Sequence, residues 1–174
     1  QLVSIGVTPA SPSIAPGTTR QFTATGTYSN GAIQNLTASA TWTSSNTAIA
    51  DISNNAGSKG LATASTAAGG TIITATYTGI DGTTALTVSP VASLAVTPPN
   101  PPSIAPGTAE QFVATGTLAD STSQSLTTWA TWTSSDDAVA IVSDAPGSKG
   151  LTGATSPGPG GTVTATITAT YTGV

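Results

Sequence analysis

Ser13-Ile14-Ala15-Pro16-Gly17-Thr18 returns as Ser103-Ile104-Ala105-Pro106-Gly107-Thr108, 90 positions along the chain. At the same offset Gln21-Phe22 returns as Gln111-Phe112, Ala40 to Ser45 as Ala130 to Ser135, and Gly57-Ser58-Lys59-Gly60-Leu61 as Gly147 to Leu151. A repeat of this length is one whole small domain, so the sequence predicts two copies in tandem, residues 1–89 and 90–174. Each copy is then a control for the other. Shared features belong to the fold, and unshared ones are where a special role would lie.

Both copies read as all-β. Thr and Val are abundant, Gly and Pro punctuate often, and no stretch holds a 3.6-residue apolar period. Strands are predicted at Leu2–Thr8, Arg20–Tyr28, Ala38–Ser44, Ala48–Ser53, Gly60–Ala64, Thr71–Thr78 and Thr83–Ser89, at the spacing of a sandwich. Phe22, Ala24 and Gly26 alternate with Thr23, Thr25 and Thr27, and Ile73, Ala75 and Tyr77 with Thr74 and Thr76, the pattern of half-buried antiparallel strands. In copy two the alternation runs longer, Val163 to Tyr171 against Thr162 to Thr170. The Tyr77-to-Tyr171 offset of 94 places an insertion in Ser156 to Gly161. Pro9 to Pro12 and Thr97 to Pro102 are expected to be extended and to carry the first strand from one sheet to the other. Ser89-Pro90 leaves a very short linker, which favours a stiff end-to-end arrangement.

Composition excludes several function classes. Charged residues are 6% of the chain, against about 25% in ordinary soluble proteins, with Lys and Arg together three and a net charge of −4. Phosphate neutralisation needs clustered cations, so neither nucleic acid nor an anionic membrane surface is an expected partner. No apolar run reaches the ~20 residues of a membrane-spanning helix. The chain opens on Gln1 rather than Met, and the expectation is that a leader or further domains belong to the parent protein. The hydroxyl-rich, charge-poor surface suggests an extracellular location.

A first strand ending Val7-Thr8-Pro9 is followed by Ile14-Ala15-Pro16-Gly17-Thr18 and Gln21-Phe22-Thr23-Ala24-Thr25-Gly26-Thr27. Then come Thr41-Trp42-Thr43-Ser44-Ser45-Asn46 with Ala48-Ile49-Ala50, Lys59-Gly60-Leu61-Ala62-Thr63, and Gly69-Gly70-Thr71-Ile72-Ile73-Thr74-Ala75-Thr76. This series resembles the bacterial immunoglobulin-like group 2 repeat of intimin- and invasin-like and other bacterial or phage surface proteins. The resemblance covers copy one and most of copy two. It implies two tandem immunoglobulin-like antiparallel β-sandwiches and a mostly architectural role. Copy one closes with Asp81 to Val88, the last strand of such a repeat, whereas copy two stops at Tyr171-Thr172-Gly173-Val174 before it. The expectation is a fragment of a longer array or, alternatively, a strand supplied by another chain.

Without His or Cys, neither Ser/His/Asp nor Cys/His catalysis nor the usual zinc site can be assembled. Asp136 and Asp137 of copy two stand where copy one has Asn46 and Thr47, so no acidic pair recurs. With Asp144 they flank one predicted strand and could gather oxygens around calcium, although turn-capping is the simpler role. The sequence therefore predicts no enzyme, no metal and no cofactor. Trp42 and Trp132 are expected to be buried core anchors. Trp129, where copy one has Ser39, is predicted to be partly exposed on the opposite face and, with Asp136 and Asp137, supplies the candidate contact residues. Lys59 and Lys149, each within a Gly-Ser-Lys-Gly turn, are expected to be exposed, which argues against an intramolecular isopeptide bond. Asn35-Leu36-Thr37 matches an N-glycosylation acceptor. The predicted function is a non-catalytic extracellular spacer or fibre element. Its expected partners are other copies of itself or further domains of a longer array. The alternatives are a self-assembling filament subunit and an adhesin or glycan-binding module facing a glycan or host surface.

Overall fold

The computed structural model describes residues 1–99, 103–155 and 163–172. The chain divides into two compact units, Gln1–Pro90 and Val91–Val174. The predicted insertion at Ser156 to Gly161 lies outside the described residues, as do Asn100 to Pro102 and the last two residues.

Domain one contains β1 (Leu2–Thr8), β2 (Ser13–Ile14), β3 (Thr19–Gln21), β4 (Thr23–Tyr28), β5 (Ile33–Asn35), β6 (Thr41–Ser44), β7 (Ala50–Ile52), β8 (Leu61–Ala64), β9 (Gly69–Tyr77) and β10 (Ile80–Val88). One side of the sandwich is organised by β3 and β4. Strand β4 lies between β1 and β5, and β3 continues into β8 and β7. The other side is the sheet β2-β10-β9-β6. All pairs are antiparallel except β2 with β10.

The single strand predicted over Arg20–Tyr28 is broken at Phe22. The Phe22 N–H donates to the Gly60 carbonyl (2.8 Å), and Gln21 Nε2 donates to the carbonyls of Phe22 (2.7 Å) and Lys59 (2.9 Å). These bonds take the Phe22 backbone out of the ladder and satisfy it locally. Gly60 is required there: its φ is 78°, and a Cβ would stand 2.7 Å from the Phe22 carbonyl oxygen. The strand predicted from Ala38 begins only at Thr41, because Leu36 to Ala40 form a turn in which Ser39 and Ala40 both donate to the Leu36 carbonyl. Residues Pro9 to Pro12 carry the chain from β1 on one side of the sandwich to β2 on the other, as predicted, but by a bent path and not the extended one expected, with Ser11 at φ 46°. Thr84 Oγ1 ties that crossing down, accepting from Ser11 N–H (2.9 Å) and donating to the Pro9 carbonyl (3.2 Å).

The core of domain one holds Phe22, Leu36, Trp42, Ile73, Leu86 and Val88, all essentially inaccessible, with Tyr77 packed at its margin. The Trp42 indole N–H donates to the Thr37 carbonyl (3.0 Å), so the largest side chain is buried with its one polar atom satisfied.

Domain two repeats the plan with β11 (Val91–Thr97), β12 (Ala109–Gln111), β13 (Val113–Leu118), β14 (Ser123–Ser125), β15 (Thr131–Ser134), β16 (Ala140–Val142), β17 (Leu151–Ala154) and β18 (Ile167–Thr170). Phe112, Ala114, Ala130 and Trp132 form its centre. Trp132 Nε1 donates to the Thr127 carbonyl at 3.0 Å, as its twin does. The sheet that contains four strands in domain one contains only β15 and β18 here, among the described residues. The long alternation from Val163 to Tyr171 does not give a long strand: among the described residues only Ile167–Thr170 joins a ladder, against nine residues in β9. Alternation prepares a segment for pairing, but a strand exists only where a partner satisfies its backbone.

Candidate functional site

Each residue singled out in the sequence has a definite place. Trp129 is 42% exposed. It lies in the turn between β14 and β15, donating its backbone N–H to the Leu126 carbonyl (2.9 Å). Its exposure thus comes from a turn and not from strand alternation. Asp136 organises the turn after β15. Its Oδ1 accepts from Ala138 N–H (2.9 Å), and its carbonyl accepts from Val139 (3.1 Å) and Ala140 (3.0 Å). Asn46 Oδ1 makes the equivalent bond to Ala48 N–H (3.1 Å) in domain one, so this is turn chemistry common to both copies. Asp137 is exposed. Trp129 and the two aspartates flank β15 at opposite ends, and its four residues, at about 3.3 Å each, separate them by more than ~13 Å.

The lysines differ from the sequence expectation. Lys59 and Lys149 are half-buried, with Nζ donating to the carbonyls of Ala40 (3.0 Å) and Ala130 (2.7 Å). The backbone turn is at the surface, but the aliphatic stem reaches back over the sandwich end and the ammonium satisfies a carbonyl. Lys149 also pairs with Asp144, Nζ to Oδ1 at 2.8 Å. That carboxylate accepts from Trp132 N–H as well (3.0 Å). The Lys149 ammonium and the Trp132 amide hold the Asp144 carboxyl below the usual carboxylate range. In domain one the neutral Asn54 takes the place of Asp144, accepting from Trp42 N–H (2.8 Å) and donating to the Trp42 carbonyl (2.7 Å). Asp144 is therefore committed to Lys149 and not to a cation shared with Asp136 and Asp137. No cluster of three metal-ligating side chains occurs among the described residues.

Assembling the strands extends the threonine face read from the alternation and adds a surface that the sequence did not show. On the outer face of β10-β9-β6, Thr41, Thr76 and Asp81 form one cross-strand row and Thr43, Thr74 and Thr83 the next. Domain two repeats the pairs Thr131 with Thr170 and Thr133 with Thr168. Apart from the Asp81 carboxylate, which accepts from Thr76 Oγ1 (2.6 Å), these faces offer methyls and hydroxyls, and the hydroxyls have no neighbouring imidazole to activate them. The second surface is found in domain two alone. The row Thr19-Thr63-Asp51 of domain one becomes Ala109-Gly153-Ile141, leaving Ile141 55% exposed.

The all-β fold agrees with the family that the chain matches. The family described as bacterial Ig-like domain (group 2) matches residues 2–88 and again 90–172. Ice-binding protein 1 of Shewanella frigidimarina (strain NCIMB 400) is 43% identical over 143 residues, which cover 81% of this chain and 16% of that protein. Among solved structures, domains 5–6 of the S-layer protein SbsC align over 100% of this chain and 93% of that one, with TM-score 0.49 and 21% identity. A longer piece of that protein, domains 4–9, aligns over 87% of this chain and 26% of its own length, with TM-score 0.47 and 20% identity. The chain belongs to the bacterial immunoglobulin-like group 2 family, as a tandem of two such domains.

Proposed function

We propose that this chain is a non-catalytic structural spacer of an extracellular or surface-attached protein, holding a separate functional domain at a distance. One observation carries the reading: the distinctive residues repeated between the copies are employed in the fold itself. The tryptophans fill the cores, the lysines and Gln21 and Gln111 close the sandwich ends, and the repeated glycine turns reverse the chain. The relative from Shewanella fits this role, because the matched region is a small share of a protein named for ice binding. In a protein of that kind the tandem would act as a stalk and not as the ice-contacting part. Ser89 and Pro90 alone separate β10 from β11.

Small-angle scattering of the whole chain tests the spacer. The expected result is one narrow pair-distance distribution that is unchanged between about 0.05 and 0.5 M salt, since few charges are present to be screened. A broad, salt-dependent distribution would overturn it. Ice-recrystallisation activity in the isolated chain would transfer the binding role to these domains.

A second reading, adhesin or glycan-binding module, is favoured by one observation: Trp129 is an exposed indole that copy one does not possess. Glycan-array binding abolished by Trp129→Ala would support it, and a blank array would leave the spacer alone.

A further inference from the structure

We propose that Asn30 is a site of spontaneous chemical modification. The Gly31 backbone nitrogen attacks the Asn30 side-chain amide, ammonia leaves, and water converts the residue to aspartate or isoaspartate. The proposal goes beyond the spacer reading and does not depend on it.

Asn30 and Gly31 lie, both exposed, in the turn between β4 and β5. Asn30 Oδ1 accepts the Ala32 N–H (3.1 Å), which fixes the carboxamide over the turn and polarises its carbonyl. Gly31 has a left-handed φ of 81°, and nothing lies within 4 Å of where its Cβ would stand, so its nitrogen is open to approach. The Gly31 N–H donates to the Tyr28 carbonyl (2.9 Å), and attack needs that bond to open, a local event at an exposed hairpin end. Gly31 then gives its amide proton to hydroxide, and its nitrogen bonds to Asn30 Cγ. The carbonyl electron pair moves onto Oδ1, where the Ala32 N–H already stands to hold an oxyanion. As that pair returns, the Cγ–Nδ2 bond breaks, and the nitrogen takes a proton from water and leaves as ammonia. Water opens the resulting five-membered imide at Cγ, giving aspartate, or at the Asn30 main-chain carbonyl, giving isoaspartate. One water is consumed, one ammonia is released, and nothing is oxidised or reduced.

Two comparisons select this position. The first is with the other asparagines. Asn35 precedes Leu36, whose side chain is fully buried and whose N–H donates to the Ala24 carbonyl (2.8 Å). Asn46 precedes the β-branched Thr47, which crowds the attacking nitrogen. Asn54 is clamped to the Trp42 backbone through both its oxygen and its nitrogen. Asn55 precedes Ala56, and Asn100 precedes Pro101, whose nitrogen has no proton to lose. The second comparison is with domain two, which has Asp120-Ser121 at the same turn. Ser121 N–H donates to the Leu118 carbonyl (2.9 Å), as Gly31 does to Tyr28, and Thr122 N–H donates to Asp120 Oδ1 (3.0 Å), as Ala32 does to Asn30. Ser121 keeps the left-handed backbone, at φ 67°. The turn therefore accepts a carboxylate in place of the Asn30 amide and a side chain in place of Gly31.

The test incubates the full folded chain in mildly alkaline buffer, then digests it with trypsin for mass spectrometry. Cleavage after Arg20 and Lys59 places Asn30, Asn35, Asn46, Asn54 and Asn55 in one peptide, so fragmentation compares them directly. The expected result is conversion at Asn30 at least about tenfold faster than at any of the others, about 1.4 kcal/mol in barrier, with aspartate and isoaspartate both formed. Isoelectric focusing should show a more acidic species growing in step with released ammonia. Gly31→Ser, a side chain that the domain-two turn already holds, should slow conversion by at least about tenfold, and Asn30→Asp should abolish growth of the acidic species. Three results would overturn the proposal: faster conversion at Asn35, Asn46, Asn54 or Asn55, equal rates with and without Gly31→Ser, or conversion of Asn30 in the urea-unfolded chain but not in the folded one. The last would mean that the Tyr28 bond protects the turn.

Discussion

Trp42 and Trp132 occupy equivalent places on equivalent strands and donate to equivalent carbonyls, Thr37 and Thr127, at 3.0 Å each, yet the halves of the molecule around them differ. Domain one closes its second sheet with four strands, whereas the matching sheet of domain two has two among the described residues. The ends of the sandwich, where lysine and glutamine meet the turn carbonyls, are reproduced bond for bond. A missing edge is therefore felt locally, by the strand and the side chains that would touch it, and not at the opposite layer. Sheet stability is built from neighbouring pairs, and the distant pairs remain intact.

The largest expected effect comes from the tryptophans. Trp42→Ala should cost about 3–5 kcal/mol, and Trp132→Ala less, because the open side of domain two lets the cavity collapse. Urea titrations followed by circular dichroism, with the remaining indoles reporting by fluorescence, measure both. Equal losses would break the comparison. Next comes Gly82→Val, expected to destabilise domain one by about 1–3 kcal/mol or more and leave domain two unchanged, since the new side chain meets backbone that cannot yield. Replacing Lys59 or Lys149 by Met removes the donor to a carbonyl and should cost roughly 1–2 kcal/mol in either domain by the same titration.

The smallest effect is a pH asymmetry. The Asp144 carboxyl is held low in the folded state, so its contribution is present above the ordinary carboxylate pKa and lost as pH falls through the lower folded value. Thermal melts below about pH 4 should therefore show domain two weakening by an increment that Asp144→Asn removes. Domain one, with Asn54 in that place, should lack this increment.

Much of this was legible in the sequence. The repeat, the period-two alternation and the paired tryptophans led directly to two sandwiches and their cores. The alternation also misled, since Val163 to Thr166 have strand chemistry but join no ladder among the described residues. Strand β2 was invisible because its two residues owe their state to Thr87 and Val88, far along the chain. The break at Phe22 depends on Gly60 and Lys59, brought in from another turn. Lys59 and Lys149 were read as exposed from their glycine neighbours. The burial of a flexible stem is decided by what it can reach, and here that is a carbonyl nineteen residues away. Of the candidate contact residues, Trp129 was located by comparing the copies, whereas the exposed Ile141 beside Gly153 emerged only once the outer row of the sheet was assembled.

Residue-resolved hydrogen exchange of the unmodified chain tests the central claim, that the described residues of the two domains share one fold and differ in the second sheet. Amides of Gly69 to Tyr77 should exchange only with global unfolding of domain one. Those of residues 163–165 should exchange much faster than their domain-one counterparts, while β11, β13 and β17 remain protected. Equal protection of 69–77 and 163–170 would contradict the account, as would loss of protection throughout domain two.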